Sequence, residues 1–268
     1  MSRRTLALAA LAALVLLSGC AGFLGGGSVS DERLDEEPAQ PYAWNASTDA
    51  HITVTKNATF RAVYRVNRSE VELFRRDGFG GRNALPVSAL RYRYPNGTVV
   101  TGSEFDEHGG GVSKSRDSVT VALPTDGPRN ESNATARLAF SSQSTPKRFA
   151  LPTFVKGSYE VVLPEGRRVD FPLFGSVSPG GYETERVDGR THIVWDNVER
   201  DSIVVQFYLQ RDLTIFAGIA AVLVLVGVGG ALYYRRQIEA LKRRREELGL
   251  DVEMEDDDLG DDGPPRMR

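Results

Sequence analysis

A long uncharged stretch near the C-terminus constrains this chain more than any other feature of its sequence. Leu213 to Tyr234 contains 22 residues without a charge and is rich in Val, Leu, Ala and Gly. A helix of that length rises about 33 Å, which is enough to cross the hydrocarbon core of a bilayer. The sequence therefore predicts a transmembrane helix over 213–234, with the rest of the chain divided between the two sides of the membrane.

Charge is distributed unequally around this stretch. Arg211 and Asp212 precede it, whereas the segment 235–249 is basic. Its cations nearest the span are Arg235, Arg236, Lys242, Arg243, Arg244 and Arg245. Because basic residues flanking a span stay in the cytoplasm, we expect a cytoplasmic C-terminus and an extracellular bulk of the chain. We predict a basic juxtamembrane helix over 235–249, followed by an acidic disordered tail over 250–268.

The N-terminus has the pattern of an export signal. Arg3 and Arg4 precede the apolar run Leu6 to Leu17, which is too short to span a bilayer and is followed by small residues. We therefore predict a signal peptide over 1–19. The adjacent arginines also resemble a twin-arginine export motif, and the alternative is general secretion.

Cys20 is the single cysteine of the chain, so no intramolecular disulfide can stabilise the fold. The residues before it resemble a lipobox, in which the cysteine thiol receives a lipid. We therefore predict lipidation at Cys20, the alternative being a buried cysteine in an uncleaved segment. Residues 20–41 are small, polar or charged, which favours a flexible tether.

Residues 42–212 have a dominant period of two. Tyr92 and Tyr94 alternate with Arg91 and Arg93, and a turn at residues 95–97 follows. Short runs of this kind, punctuated by turn residues and without long amphipathic helices, indicate β-strands. We predict an all-β external domain, an antiparallel sandwich that is Ig-like or similar, with eight or more strands. A subdivision near 146–152 is an open alternative.

Six asparagines of this region lie in Asn-x-Ser/Thr sequons, which accept N-glycans in exported proteins. Clustering of Asn, Ser and Thr in turns is the other explanation, but all six lie between Cys20 and the predicted span, on the side argued to be external. We therefore predict glycosylation sites at Asn45, Asn57, Asn67, Asn96, Asn130 and Asn133.

The sequence contains no recognisable catalytic or metal-binding motif. His51, His108 and His192 are scattered, without the spacing of metal ligands, and there is no Gly-x-Ser-x-Gly motif. The acidic run 104–108 before three glycines suits either a cation loop or, better, a solvated turn. We assign no catalytic residue, metal or cofactor and predict that the protein is not an enzyme. A net charge of −3 does not favour a nucleic-acid partner.

Taken together, the export signal, the lone cysteine, the sequon-rich β region and the terminal span resemble a family of haloarchaeal surface lipoproteins, domain of unknown function 5803. The resemblance rests on residues 25–34, on Pro41-Tyr42-Ala43-Trp44-Asn45, and on the stretch from Ile193-Val194-Trp195 to Gln206-Phe207-Tyr208-Leu209. It implies an archaeal envelope location and nothing about activity.

Two classes of function follow from these predictions. Attachment at both ends would hold the β domain near the bilayer, as suits a non-enzymatic scaffold or an adaptor for other envelope membrane proteins. The alternative is a ligand-binding surface receptor or solute-binding lipoprotein, which needs a pocket with convergent polar groups. Gly227 and Ala231 offer a minor route to homodimerisation through the span.

Overall fold

The structure is a computed structural model that describes residues 27–125 and 135–247. It has two compact units, of which the first ends at Gln210 and the second begins at Arg211. The described strands, all in the first unit, are β1 (Ala50–Val54), β2 (Thr59–Arg65), β3 (Glu70–Arg76), β4 (Arg82–Ala84), β5 (Ser88–Arg93), β6 (Val99–Thr101), β7 (Gly111–Lys114), β8 (Val119–Ala122), β9 (Arg137–Gln143), β10 (Arg148–Pro152), β11 (Gly157–Val162), β12 (Arg167–Arg168), β13 (Ser176–Ser178), β14 (Glu183–Val187), β15 (Arg190–Val198), β16 (Ser202–Gln206) and β17 (Tyr208–Leu209).

Eight of these seventeen strands pair in one large sheet. Its strand order is β14–β15–β11–β1–β2–β9–β5–β6. Three smaller sheets have the orders β4–β3–β8–β7, β10–β16–β13 and β12–β17. All described pairs are antiparallel except β1 with β11, which run parallel and place Ala50 opposite Tyr159. The predicted class, an all-β domain followed by one long apolar helix, is confirmed.

The period of two in the sequence divides each central strand of the large sheet between two faces. In β2, Phe60, Ala62 and Tyr64 are buried in the main core, whereas Arg61 and Arg65 point to the opposite face and are half-buried. The core is rich in aromatic rings in edge-to-face contact, such as the pair Phe60 and Phe149 at 5.3 Å between centroids. Burial of these large side chains supplies the main driving force for folding, because the domain has no disulfide.

The chain does not divide near residues 146–152. Strand β10 occupies that position, pairs along its whole length with β16, and contributes Phe149 to the same core as Phe60 of β2. The described residues up to Gln210 therefore form one unit.

Residues 27–41 differ from the predicted tether, because they pack against the domain. They include the short helix α1 (Asp31–Asp35), whose Leu34 is only 3% exposed. A methyl group added at Gly102 would lie 3.0 Å from the Leu34 Cβ, so this glycine allows the close approach. Arg91 donates hydrogen bonds to three carbonyl groups at the end of α1, those of Leu34, Asp35 and Glu36.

The tether was predicted from polar composition. That composition conceals the docking, because only two apolar residues of 27–41, Val29 and Leu34, enter the core. Leu34 is the only buried residue of α1, Val29 lies just before the helix, and the other contacts of the segment are polar. The Asp35 carboxylate accepts hydrogen bonds from the backbone N–H and the hydroxyl of Ser103. Gly27 also pairs with Lys114 at the end of β7.

The second helix, α2 (Gln210–Glu247), follows β17 without an intervening residue. Among the described residues it is the one helix long and apolar enough to cross a membrane. None of its residues is buried within the protein, although its first half is almost wholly apolar. It continues through the predicted juxtamembrane segment as far as Glu247, and the predicted acidic tail, 250–268, lies outside the described residues.

Candidate functional site

The outward face of the large sheet carries polar side chains that the fold brings together from distant parts of the chain. It is formed by the alternate residues of β1, β2, β5, β9, β11 and β15 that do not enter the core. Two groups stand out on it: a cluster of two histidines and a glutamate, and a pocket lined by three arginines. The segment 40–46 crosses the same face, where it lines a pocket together with His51 and contacts arginines of the second group.

Segment 40–46 is held by a small second apolar cluster. Tyr42 is buried there with Val63, Ala89 and Ala139, and Trp44 packs against them. The Tyr42 hydroxyl donates a hydrogen bond to the Ala89 carbonyl at 2.6 Å. Burial raises the pKa of Tyr42 to about 12, so this hydroxyl keeps its proton at neutral pH.

Arg61 fixes the start of the segment. Its guanidinium donates to the Pro41 carbonyl and to the Gln40 side-chain oxygen, both at 2.8 Å. Burial lowers the pKa of Arg61, and nearby Arg190 lowers it further, but a guanidinium remains charged at any physiological pH. Arg61 therefore acts as a clamp between strand β2 and the chain that crosses it.

The first group, which we call the His–Glu–His cluster, consists of His51 on β1, Glu160 on β11 and His192 on β15. One carboxylate oxygen of Glu160 lies 2.9 Å from Nδ1 of His51, and the other lies 2.7 Å from Nδ1 of His192. The side chains are 13%, 18% and 20% exposed, in the order His51, Glu160, His192. The parallel pairing of β1 with β11 places His51 opposite Glu160, although they are 109 positions apart.

The two histidines keep the carboxylate of Glu160 ionised. The hydrogen bond from His51 is the largest favourable influence, burial opposes it, and the hydrogen bond from His192 adds to it. Together these effects lower the pKa of Glu160 to about 2. A carboxylate that accepts two charge-assisted hydrogen bonds is strongly stabilised against protonation.

The cluster has part of the arrangement of a hydrolytic triad. Thr53 Oγ1 lies 3.3 Å from Nε2 of His51, whose Nδ1 faces Glu160. Hydroxyl, imidazole and carboxylate follow in the order seen in nucleophilic enzymes. Thr53 is itself buried, however, and the second oxygen of Glu160 is engaged by His192. The contacts therefore suit a closed network that satisfies half-buried polar groups.

The second group, which we call the arginine pocket, lies where β2, β9 and β5 meet the end of segment 40–46. The pocket has a volume of about 470 Å³. Its lining residues are Trp44, Asn45, Ala46, Ser47, Arg65, Arg93, Tyr94, Pro95, Thr135 and Arg137. Arg93 lies 5.9 Å from the centroid of the Trp44 ring. The pocket therefore joins positive charge to aromatic surface.

The predicted glycosylation sites lie in turns or loops where the structure describes them. Asn45, Asn57, Asn67 and Asn96 are all exposed and outside the strands. Asn45 lines the arginine pocket, where its side-chain oxygen accepts a hydrogen bond from Arg93 at 3.3 Å. The remaining predicted site residues lie outside the described residues: Arg3, Arg4, Cys20, Asn130 and Asn133.

The acidic run at residues 104–108 forms a 3₁₀ helix, Gly102–His108, instead of an open loop. Glu104 accepts a hydrogen bond from the Thr101 backbone N–H at 2.8 Å and so completes a capping box. Over residues 27–125 and 135–247, no group of three or more His, Cys, Asp or Glu side chains is arranged to hold a metal ion.

Comparison with known proteins assigns this chain to a protein family. The family described as "Family of unknown function (DUF5803)" matches residues 46–253, which is most of the chain. The chain belongs to this family. The match covers the large sheet, the His–Glu–His cluster, the three arginines of the arginine pocket and helix α2. Trp44 and Asn45, which also line that pocket, lie just before the matched region of the DUF5803 family.

Other comparisons add little to this assignment. No curated protein matches the chain. Structures of a mutant M1 zinc metallopeptidase from Deinococcus radiodurans, with and without a Tyr-Ser-Ala substrate, have TM-scores of 0.32 and 0.31 and 13% identity. Each alignment covers 59% of this chain and 41% of the peptidase chain, so this chain spans about two fifths of that protein. Similarity at this level carries no argument about activity.

Sequence reasoning missed both polar groups. The three histidines looked scattered because separation along the chain says nothing about which strands become neighbours. One signal was available: His51 and Thr53, like Arg91 and Arg93, alternate with apolar residues and must share a face if the segment is a strand. The sequence of this DUF5803 chain thus indicated which residues face outward, but not which strands carry the residues that they contact.

Proposed function

We propose that this protein is a single-pass, membrane-anchored surface protein of an archaeal envelope, glycosylated and lipidated outside the cell. In this proposal the β domain is a non-enzymatic scaffold or an adaptor for other envelope membrane proteins. The single observation that carries the proposal is the direct passage from β17 into α2, a helix of 38 residues with an apolar first half and a basic second half.

The distribution of charge along α2 supports the orientation. Its apolar part is followed by Arg235 and Arg236 and, near its end, by four consecutive cations from Lys242 to Arg245. Positive charge of this density is retained on the cytoplasmic side and attracted to anionic headgroups. Tyr233 and Tyr234 lie at the boundary, where amphipathic rings are favoured.

A cysteine-labelling experiment tests this orientation. In a Cys20→Ser background, one variant carries Glu183→Cys on exposed strand β14, and a matched variant carries Glu246→Cys near the end of α2. We expect a membrane-impermeant maleimide to label intact cells only at position 183, and to label position 246 only after lysis. The reverse pattern, or equal labelling of both, would contradict the proposed topology.

The adaptor role is supported by a rigidly presented aromatic residue. Phe79 is fully exposed at the tip of the turn between β3 and β4. The side chain of Asp77 accepts hydrogen bonds from the backbone N–H groups of Phe79 at 2.9 Å and Gly81 at 2.7 Å, which fix the turn. A large apolar side chain held in solvent gains free energy on contact with a partner, at little cost in ordering.

A site-specific photo-crosslinker at position 79 tests the adaptor role in native membranes. The matched control places the same crosslinker at Leu173, another exposed apolar residue. We expect a reproducible membrane-protein adduct from position 79 and not from position 173. If neither position, or both equally, gives adducts, the adaptor role of this turn is wrong.

Mass spectrometry of the native protein tests its modifications. We expect glycan mass at Asn45, Asn57, Asn67 or Asn96, since all four are exposed. A metabolic lipid probe should label the wild type and not Cys20→Ser. An unmodified mass for the whole exported chain would overturn both assignments.

A further inference from the structure

The arginine pocket brings like charges together, and the scaffold role does not explain this electrostatic repulsion. In the sheet, Arg137 of β9 is paired directly with Arg65 of β2 on one side and with Arg93 of β5 on the other. Three like charges therefore stand in a row across three neighbouring strands. Like charges directly opposite each other on adjacent strands destabilise a sheet.

Little negative charge compensates this row. Asp49 lies 3.5 Å from Arg65, and the described lining of the pocket contains no acidic side chain. Arg137 donates instead to the Ala46 carbonyl at 2.8 Å, which is neutral. Burial lowers the pKa of Arg137, and the nearby charges of Arg65 and Arg93 lower it further. The row thus keeps an excess of positive charge in a preformed pocket.

The hydrogen-bonding geometry of the row suits an oxyanion. Guanidinium groups present donors in a planar fork that matches a carboxylate or sulfate in a bidentate manner. The Asp49 carboxylate, the one acidic partner, is itself occupied by hydrogen bonds from the backbone and hydroxyl of Ser158, which lower its pKa. An anion bound between Arg93 and Arg137 would therefore relieve repulsion that Asp49, which is paired with Arg65 and Ser158, relieves only in part.

The rest of the lining suits a sugar better than a bare ion. Trp44 offers an aromatic surface on which the C–H groups of a pyranose ring can lie, and its ring is held edge-on against Tyr42 at 5.6 Å. Ser47 and Thr135 supply hydroxyl groups that pair with sugar hydroxyls. The volume of about 470 Å³ lies in the range of small-molecule sites and accommodates one or two sugar rings.

We propose that the arginine pocket binds an anionic sugar, a uronic acid or a sulfated monosaccharide, through Arg65, Arg93 and Arg137, with Trp44 contacting the ring. The sugar is either free or the terminal unit of a surface glycan, since both present the same chemistry. This binding function goes beyond the scaffold role and does not depend on the orientation of α2.

Calorimetry with the purified full-length chain in detergent tests the site. The probes are glucuronate, glucose 6-sulfate, neutral glucose and inorganic sulfate. We expect glucuronate and glucose 6-sulfate to bind at least tenfold more tightly than either glucose or inorganic sulfate, and to bind more weakly as salt rises. Equal affinity for glucose would overturn the role of charge, and equal affinity for inorganic sulfate would overturn the role of the sugar ring.

Two variants and one control separate binding from folding. Arg93→Gln and Trp44→Phe should each weaken glucuronate binding about tenfold or more, while Arg186→Gln on β14, outside the pocket lining, should leave it unchanged. The unfolding midpoint of Arg93→Gln should match or exceed that of the wild type, because the variant removes like-charge repulsion. Unchanged affinity in Arg93→Gln would overturn the proposal.

The source of the sugar follows from a second series of probes. If a disaccharide ending in glucuronate binds tenfold more tightly than glucuronate alone, the pocket binds the end of a glycan chain. If the disaccharide and glucuronate alone bind with equal affinity, the ligand of the pocket is a free sugar acid. Loss of binding when the acid is linked to a second sugar would also assign the free acid, whereas failure of every acidic sugar to bind would overturn the site.

Discussion

Replacement of Glu160 by glutamine tests whether the His–Glu–His cluster stabilises the fold through the charge of its carboxylate. The substitution keeps the size of the side chain but removes its negative charge. The single oxygen of the glutamine amide can still accept a hydrogen bond from one of the two histidines, but the amide NH₂ group then faces the imidazole of the other. That imidazole must change its tautomer or lose its partner.

The expected magnitude follows from the pKa of Glu160. The structure lowers it from 4.5, its ordinary value, to about 2. Each pH unit of difference corresponds to about 1.4 kcal/mol, so the ionised carboxylate contributes about 3 kcal/mol at neutral pH. The side chain is only 18% exposed, so solvent screening is limited. We expect Glu160→Gln to lower the free energy of unfolding by about 2 to 3 kcal/mol at pH 7.

The lowered pKa of Glu160 also determines how its contribution to stability changes with pH. The pKa of Glu160 is lower in the folded than in the unfolded state, so its contribution is fully present above pH 4.5 and is lost as the pH falls towards 2. The difference in stability between the wild type and Glu160→Gln should therefore be constant above about pH 5 and shrink over that window. Urea unfolding of the full-length chain in detergent, followed by the fluorescence of buried Trp195, measures it.

A matched substitution provides the control. Glu165 pairs with Lys56 at 3.1 Å, but both side chains are mostly exposed, at 68% and 63%. Exposed pairs contribute little, so Glu165→Gln should show no measurable change at any pH. The reasoning about Glu160 is refuted if its variant loses the same stability at pH 2.5 as at pH 7, or if it behaves like Glu165→Gln.

Other substitutions test the packed N-terminal segment, the core and the surface. Leu34→Ala should cost about 2 to 4 kcal/mol in urea unfolding and expose residues 27–41 to protease, while Glu32→Ala on the exposed side of α1 should do neither. Tyr159→Phe removes a buried hydrogen bond of 2.6 Å to the Val155 carbonyl and should cost about 1 to 2 kcal/mol. Tyr64→Phe should be neutral or stabilising, because the buried Tyr64 hydroxyl has no partner among the described residues, and a large loss of stability there would contradict that.

The β class and the helix were predictable from short-range patterns. Alternation in segments such as 60–66 directly reports which side chains enter a core, and 22 uncharged residues directly report a possible span. Neither depends on which distant segment becomes a neighbour. The folded strand β2 and helix α2 accordingly coincide closely with what the sequence indicated.

The polar groups were not predictable, because they arise from pairing between distant strands. The local sequence around His51 does not indicate that β11 pairs in parallel with β1 and places Glu160 beside His51. Likewise, Arg65 and Arg137 are each ordinary outward-facing residues of separate strands. Only the register of the sheet turns them into a pocket, and register depends on the packing of the whole core.

Because residues 27–41 pack against the domain, a lipid on Cys20 would hold the domain closer to the bilayer than a free tether over 20–41 would. Only residues 21–26 separate Cys20 from Gly27, which pairs with Lys114 at the end of β7. A chain of that length spans at most about 25 Å. A lipid at Cys20 would thus confine the Lys114 end of the four-stranded sheet to a thin layer at the bilayer surface. Within that layer, encounters with membrane partners become two-dimensional searches, and soluble partners must approach through the crowded zone next to the headgroups.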